Sequence, residues 1–233
     1  MKVYGFFQSR DEYIGTQIKR SKEKFSYCKV SMNDALYYIN KIRRYNKREK
    51  TDSSETPLIC LGTRNGREVD LFRVAMRNPF VARLIAGTES TERGFNSIFD
   101  VFMTTRRSDV NAIDENSVIG VEINPIGKRR DIWIGSFDEL PKDWEGRFNV
   151  IYSNSFDHSQ DPYRTAKEWI KIAKNNAILI LAFYNLEDDP SEHDPVTNIK
   201  LSDILELFPG ELLYFDKAGS FNNYDEVILQ LKK

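Results

Sequence analysis

The chain has 233 residues, 40% hydrophobic and 30% charged, the composition of an ordinary soluble globular protein and one that excludes disorder. The net charge of −1 hides an asymmetry: residues 1–50 hold thirteen Lys and Arg against five Asp and Glu, and residues 184–226 hold two Lys against eleven acids. A basic N-terminal face can attract phosphates, but a solvated helix surface explains it more simply, and nucleic acid is disfavoured as a partner.

Two cysteines, Cys28 and Cys60, make neither a disulfide framework nor a metal cluster, so no metal is expected. There is no apolar N-terminal stretch to serve as a signal peptide and no run of membrane-spanning length, so a cytoplasmic protein without membrane insertion is expected. At this length the core is one α/β domain over residues 57–233, preceded by a helical extension over residues 1–56.

In chain order, Ser31 is placed as an N-cap with Asp34 three residues on, and Leu36, Tyr38, Ile39, Ile42 and Tyr45 follow at helical spacing. Thr51–Pro57 is a polar hinge. Leu58–Leu61 is an unbroken apolar run, the pattern of a buried parallel strand. The turn Gly62-Thr63-Arg64-Asn65-Gly66 comes next, and from Glu68 a helix puts Val69, Phe72 and Met76 on one face. Strand, glycine turn and helix N-terminus together offer free backbone N–H groups to an anionic or hydroxyl-bearing ligand. Residues 78–117 are longer than an ordinary connection and rich in apolar side chains (Phe80, Leu84, Phe95, Phe99, Phe102), accompanied by Arg73, Arg77, Arg83, Arg93, Arg106 and Arg107. They read as a substrate lid, an association surface for a homo-oligomer, or a cover on one sheet edge.

Val118–Pro125 is a second buried strand, and Glu122 at its end can accept a pair of hydroxyls. Ile132–Pro141 is a third strand and polar turn. Phe148–Pro162 is a fourth strand, a polar loop holding Asn154, Ser155, Asp157 and His158, and a helix start with Asp161 as N-cap. In that helix Ala166, Trp169, Ile170 and Ala173 face the sheet, and Lys171 and Lys174 lie near its C-terminus. Ala177–Tyr184 is a fifth strand. A short helix near Asp203–Phe208 and strands Glu211–Phe215 and Glu226–Leu231 complete the domain. His193, in an acidic loop, is too far from His158 in sequence to suggest a shared site.

Taken as a set, LICLGTRNG, VIGVEINP, IWIGSFDELP and FNVIYSNSFDH resemble class I S-adenosylmethionine-dependent methyltransferases of the type 11-like kind, over about Pro57–Phe183. The resemblance implies a Rossmann-like, doubly wound, mostly parallel sheet with a C-terminal antiparallel hairpin. It implies S-adenosyl-L-methionine as cofactor, held by Leu61, Gly62, Thr63, Arg64, Gly66, Glu122, Ile123, Ser136, Phe137, Asn154 and Ser155. Glu122 would take the ribose hydroxyls, and Ser136 and Phe137 would touch the adenine. The implied reaction is methyl transfer to an O, N or C nucleophile of a small molecule or saccharide, with His158 and Asp157 as candidate catalytic groups. N-terminal helices in such enzymes often cover the ligand mouth; here they equally suit packing on the sheet.

The chain departs from the pattern in three ways. Cys60 stands where an acidic residue often ends the first strand, Arg64 replaces the middle glycine of the turn, and Glu122 lies 56 residues beyond Gly66. A guanidinium at 64 suits the methionine carboxylate. The rivals are a non-catalytic binding or assembly protein that keeps the fold and a nicotinamide-dependent oxidoreductase. The absence of G-x-G-x-x-G spacing weakens the second.

Overall fold

A computed structural model describes residues 1–5, 7–25, 28–48, 56–88, 108–114, 117–184, 188–217 and 224–232. Its centre is a seven-stranded sheet. β2 (Leu58–Leu61) lies between β3 (Val118–Glu122) and β5 (Phe148–Ser153), all parallel. β4 (Ile132–Ile134) continues the sheet beyond β3, and β6 (Ala173–Tyr184) continues it beyond β5. β9 (Tyr224–Leu231) then runs antiparallel between β6 and the edge strand β8 (Gly210–Asp216), so the order is β4-β3-β2-β5-β6-β9-β8. This is the doubly wound sheet with a C-terminal antiparallel hairpin that the sequence implies.

Successive residues of a strand point to opposite faces, and β2 divides its side chains accordingly. Leu58 and Cys60 join Tyr38, Ile39, Phe72 and Tyr152 on one side; Ile59 and Leu61 join Ile151, Phe156, Trp169 and Phe208 on the other. The first face is covered by α2 (Met32–Arg48), α3 (Arg67–Arg77) and α4 (Pro79–Thr88), the second by α5 (Pro162–Ile172) and α6 (Leu201–Leu207). α2 starts at the expected capping box: the Asp34 N–H donates to the Ser31 hydroxyl at 3.1 Å and the Ser31 N–H to the Asp34 carboxylate at 2.9 Å. α5 stops one residue earlier than the sequence suggests. Ile172 completes its buried face, Ala173 is already extended and opens β6, and Asn176 absorbs the irregularity at φ 61°.

The N-terminus is woven into the domain. β1 (Lys2–Val3) pairs antiparallel with β7 (Val196–Thr197), the terminal ammonium bonds Asp203 at 2.9 Å, and Lys2 meets Asp189 at 2.8 Å. α1 (Arg10–Glu23) then lies across the carboxyl ends of the strands, where Arg20 reaches Asp194 at 3.5 Å. Part of the basic N-terminal segment is thus matched by the acidic C-terminal one, which gives the charge asymmetry an intramolecular outlet. Each exposed pair contributes only about 0–1 kcal/mol.

The long connection after α3 begins as α4, which packs on α2 and α3 through the fully buried Ala82 and leaves Phe80 70% exposed. The apolar residues 95–103 and Arg93, Arg106 and Arg107 lie outside the described residues, as do residues 51–55 of the expected hinge. Arg73 is no surface group. It bonds the Asp70 carboxylate at 2.9 Å, the Asp131 carboxylate and the Val118 carbonyl at 3.1 Å, while Arg129 grips Asp70 and Asp131 from the other side. Two guanidinium groups and two carboxylates alternate in this buried cluster, fastening α3 to the β3–β4 edge. Among the described residues no helix is long and apolar enough to cross a membrane.

Burial pushes the Asp131 carboxyl up, but hydrogen bonds and charge from Arg129 and Arg73 outweigh it and hold the group below the usual carboxylate range. A carboxylate depressed in the folded state adds stability above its unfolded pKa, and that stability is lost as pH falls through the folded value. Asp131→Asn should therefore cost about 3 kcal/mol near neutrality, with the deficit shrinking below about pH 4. Urea unfolding at pH 7 and pH 3 checks this; equal deficits at both would show that packing, not charge, makes Asp131 matter.

Candidate active site

The site lies at the carboxyl ends of β2, β3, β4 and β5, where strand order reverses. Its floor is the turn after β2. Gly62, Arg64 and Gly66 take φ of 84°, 51° and 76°, so this short turn visits the left-handed region three times. Arg64 does so without glycine's freedom, at a cost of roughly 1–2 kcal/mol. The turn is tied to β3: the N–H groups of Gly62 and Thr63 donate to the Val121 carbonyl at 3.0 and 3.1 Å. From β5, the Ser153 hydroxyl donates to the Leu61 carbonyl at 2.9 Å and the Ser155 hydroxyl to that of Gly62 at 3.3 Å.

Glu122, the last residue of β3, is 2% exposed yet borders the cavity. One oxygen accepts the Arg64 N–H at 2.6 Å; the other accepts the Asn124 N–H at 2.9 Å and the Ser21 hydroxyl at 2.6 Å. The carboxylate is therefore aimed by the two turns that frame it. Beside it, Ile123 and Phe137 form apolar walls, with Ser136 and Gly135 between them. Trp169 props Phe137 in place, through an edge contact of the rings at 5.7 Å and an indole N–H donated to the Phe137 carbonyl at 3.2 Å.

Of the residues singled out in the sequence, Gly62, Arg64, Glu122, Ile123, Ser136, Phe137, Ser155 and His158 line one cavity. Leu61 and Thr63 are buried behind it, and Thr63 packs under Gly120. Gly66 caps α3 against Ile132 and Arg129. Asn154 and Asp157 lie in the adjoining loop outside the lining. Periodicity singled out none of Tyr13, Gln17, Arg20 and Ser21, which close the cavity from above. The available signal was polar residues at 13, 17 and 21, one face of a helix.

Asp138, in the polar turn after β4, is a buried junction. It accepts the Tyr13 hydroxyl at 2.9 Å, the Ser136 hydroxyl at 3.2 Å and the Thr165 hydroxyl at 2.5 Å, joining α1, the β4 turn and α5. Burial raises its carboxyl above the ordinary range, with the three hydroxyls pulling the other way.

The two histidine loops, 35 residues apart in sequence, meet in space. His158 Nδ1 is 3.0 Å from the His193 carbonyl and 3.4 Å from Asp194, which assigns the proton to Nδ1 and leaves Nε2 as the acceptor of the neutral ring. Asp157, 5% exposed, keeps one carboxylate oxygen without a hydrogen-bond partner. Potential metal-ligand atoms of Asp157, His158 and Asp194 lie within 4.8 Å of one another. Arg20 pairs with Asp194, and Lys24 and Lys29 feel the charge of both acids, so protein cations already balance that cluster. Burial lowers Lys29 to about 8, against the attraction of Asp157.

The sheet order, with an antiparallel hairpin at one edge, is that of the class I S-adenosylmethionine-dependent methyltransferase fold. No family model matches the chain, and no curated protein matches it in sequence. Among solved structures it is similar to the 1,6-didemethyltoxoflavin-N1-methyltransferase of Burkholderia thailandensis, with a TM-score of 0.56 and 12% identity over 100% of this chain and 94% of that one. The SAM dependent methyltransferase from Aquifex aeolicus aligns at a TM-score of 0.48 and 11% identity, over 84% of this chain and 98% of the other. The 16S rRNA (adenine(1408)-N(1))-methyltransferase of Catenulisporales acidiphilia gives 0.46 and 10%, over 82% and 91%.

A Cβ added at Gly62 would lie 2.6 Å from Ser155 Cβ. With the positive φ added, Gly62→Ala should cost about 1–3 kcal/mol. Ser155→Gly in the same chain should recover the steric part, read as a coupling energy in a double-mutant cycle of thermal melts. Purely additive effects would place the strain in the backbone of Gly62 alone.

Proposed function

We propose that the protein is an S-adenosylmethionine-dependent methyltransferase acting on an O, N or C nucleophile of a small molecule or saccharide. The single observation that carries this reading is Glu122. A carboxylate at the end of a parallel strand, oriented by two backbone N–H groups and flanked by Ile123 and Phe137, suits a nucleoside: its oxygens for the ribose diol, the apolar walls for the base. The Gly62–Gly66 turn shapes the site but does not offer the free N–H groups expected from its sequence: those of Gly62, Thr63 and Arg64 are held by Val121 and Glu122, and the open sides of Gly62 and Gly66 are filled by Ser155 and by Ile132 and Arg129. Arg64, which lines the same cavity, is the candidate partner of the methionine carboxylate, a role that suits a forked guanidinium.

When bound, the cofactor supplies a sulfonium that already activates its methyl group, so the protein has chiefly to align the acceptor and exclude water. His158 contributes Nε2 as a proton acceptor for a hydroxyl or amine, its ring held by the contacts of Nδ1 with the 193–194 loop. Asp157, buried beside it with one carboxylate oxygen unpartnered, is the second candidate catalytic group.

S-adenosylhomocysteine at about 100 times its Kd should stabilise the protein by about 2.7 kcal/mol, roughly 5–10 °C for a domain of this size. NAD should do nothing at the same concentration. Glu122→Ala should weaken S-adenosylhomocysteine binding about ten- to a hundredfold in a protein that stays folded. No heat and no thermal shift at millimolar ligand would reject the enzyme reading, and a shift by NAD alone would favour the oxidoreductase.

A further inference from the structure

α1 is an unusual cover. Its buried residues are Tyr13, Gln17 and Ser21, one per turn along a single face, while its aliphatic residues Ile14 and Ile18 are only half-buried. Polar contacts hold it: Tyr13 donates to Asp138 at 2.9 Å and to the His158 carbonyl at 2.8 Å, Gln17 to the Glu192 carbonyl at 3.3 Å, and Ser21 to Glu122 at 2.6 Å. Beneath it the cavity is about 40 Å³. That is room for about three waters, against about 300–1,000 Å³ for a pocket that encloses an organic ligand of drug size.

Glu122 shows what has to give. An ionised carboxylate offers about four acceptor positions, and three donors already occupy this one. Two of them, the N–H groups of Arg64 and Asn124, belong to the turns that build the site. The third, Ser21, comes from α1. A ligand diol brings two hydroxyls, so both find places only when the Ser21 hydroxyl leaves.

We infer that α1 is a displaceable latch whose Ser21 hydroxyl sits on Glu122 as an internal surrogate for a ligand hydroxyl, so that ligand binding and latch release compete for the same carboxylate. The inference rests on the proposed ligand for its second half only; the latch itself is a property of the protein alone. Release gives the Ser21 position on Glu122 to the ligand and returns Gln17 and Ser21 to water, where polar groups are readily satisfied; the apolar cost is confined to the Tyr13 ring and the half-buried Ile14 and Ile18. With no fully buried aliphatic side chain, α1 is easier to lift than a helix docked through such residues.

Hydrogen exchange of the α1 amides and calorimetry with S-adenosylhomocysteine, on the full chain and on Ser21→Ala, test both halves. Without ligand, Ser21→Ala should exchange faster across α1 and no faster across β2, β3 and β5. Its affinity for S-adenosylhomocysteine should rise by about tenfold, the lower end of what a hydrogen bond to a charged acceptor contributes. Tyr13→Phe, at the other end of the helix, should speed α1 exchange in the same way without touching Glu122.

Unchanged α1 exchange in Ser21→Ala overturns the latch. Faster exchange with equal or weaker affinity overturns the competition. If neither protein binds S-adenosylhomocysteine, the methyltransferase reading fails and the exchange data alone decide whether Ser21 latches α1.

Discussion

Everything at the site converges on the Glu122 carboxylate. A charged group that is almost fully buried persists only where hydrogen bonds replace its water, and three donors from three parts of the chain do so here: Arg64 from the first turn, Asn124 from the second, and Ser21 from α1. That requirement sets the relative position of the β2 turn and the β3 turn. It also explains why Gly127 follows so soon after: a Cβ there would lie 2.4 Å from the Arg64 carbonyl, so only glycine lets the second turn pass under the first. Glu122 is a structural fastener, and the same geometry is what the proposed function uses.

A second electrostatic device works on the outer edge of the sheet. Asp70, Arg73, Arg129 and Asp131 form a closed set of two positive and two negative groups, each satisfied by more than one hydrogen bond. Because α3 begins at Gly66, locking its first two turns to β3 and β4 also keeps the Gly62–Gly66 turn in register with Glu122. Arg129 reaches further and donates to the Asn65 and Gly66 carbonyls at 3.2 and 3.3 Å, so the network touches the turn directly.

The far side of the cavity is built from loops that belong to distant parts of the chain. His158 follows β5, His193 and Asp194 precede β7, and the two loops meet under α1, whose Gln17 and Arg20 reach the second loop. Here loops and a helix hold one another, whereas Glu122 and the Gly62–Gly66 turn are fixed at the ends of adjacent parallel strands.

Local chemistry made most of the scaffold legible from residues alone. Apolar runs without alternation predicted β2, β3, β5 and β6 because a parallel sheet covered on both faces buries every side chain. The Ser31–Asp34 box and Asp161-Pro162 predicted two helix starts because capping depends on neighbours three residues apart. Glycines 62 and 66 predicted the turn because left-handed backbone is a property of a single residue. What the sequence by itself did not determine were the contacts made across the chain: Ser21 on Glu122, Tyr13 on Asp138, the 193–194 loop on His158, and Arg73 inside an ion network. Their side chains are polar and lie in no hydrophobic period, and their partners are 101, 125, 35 and 58 residues away. Periodicity reports which face of an element is buried; only the tertiary structure, by bringing those faces together, decided which polar groups meet there.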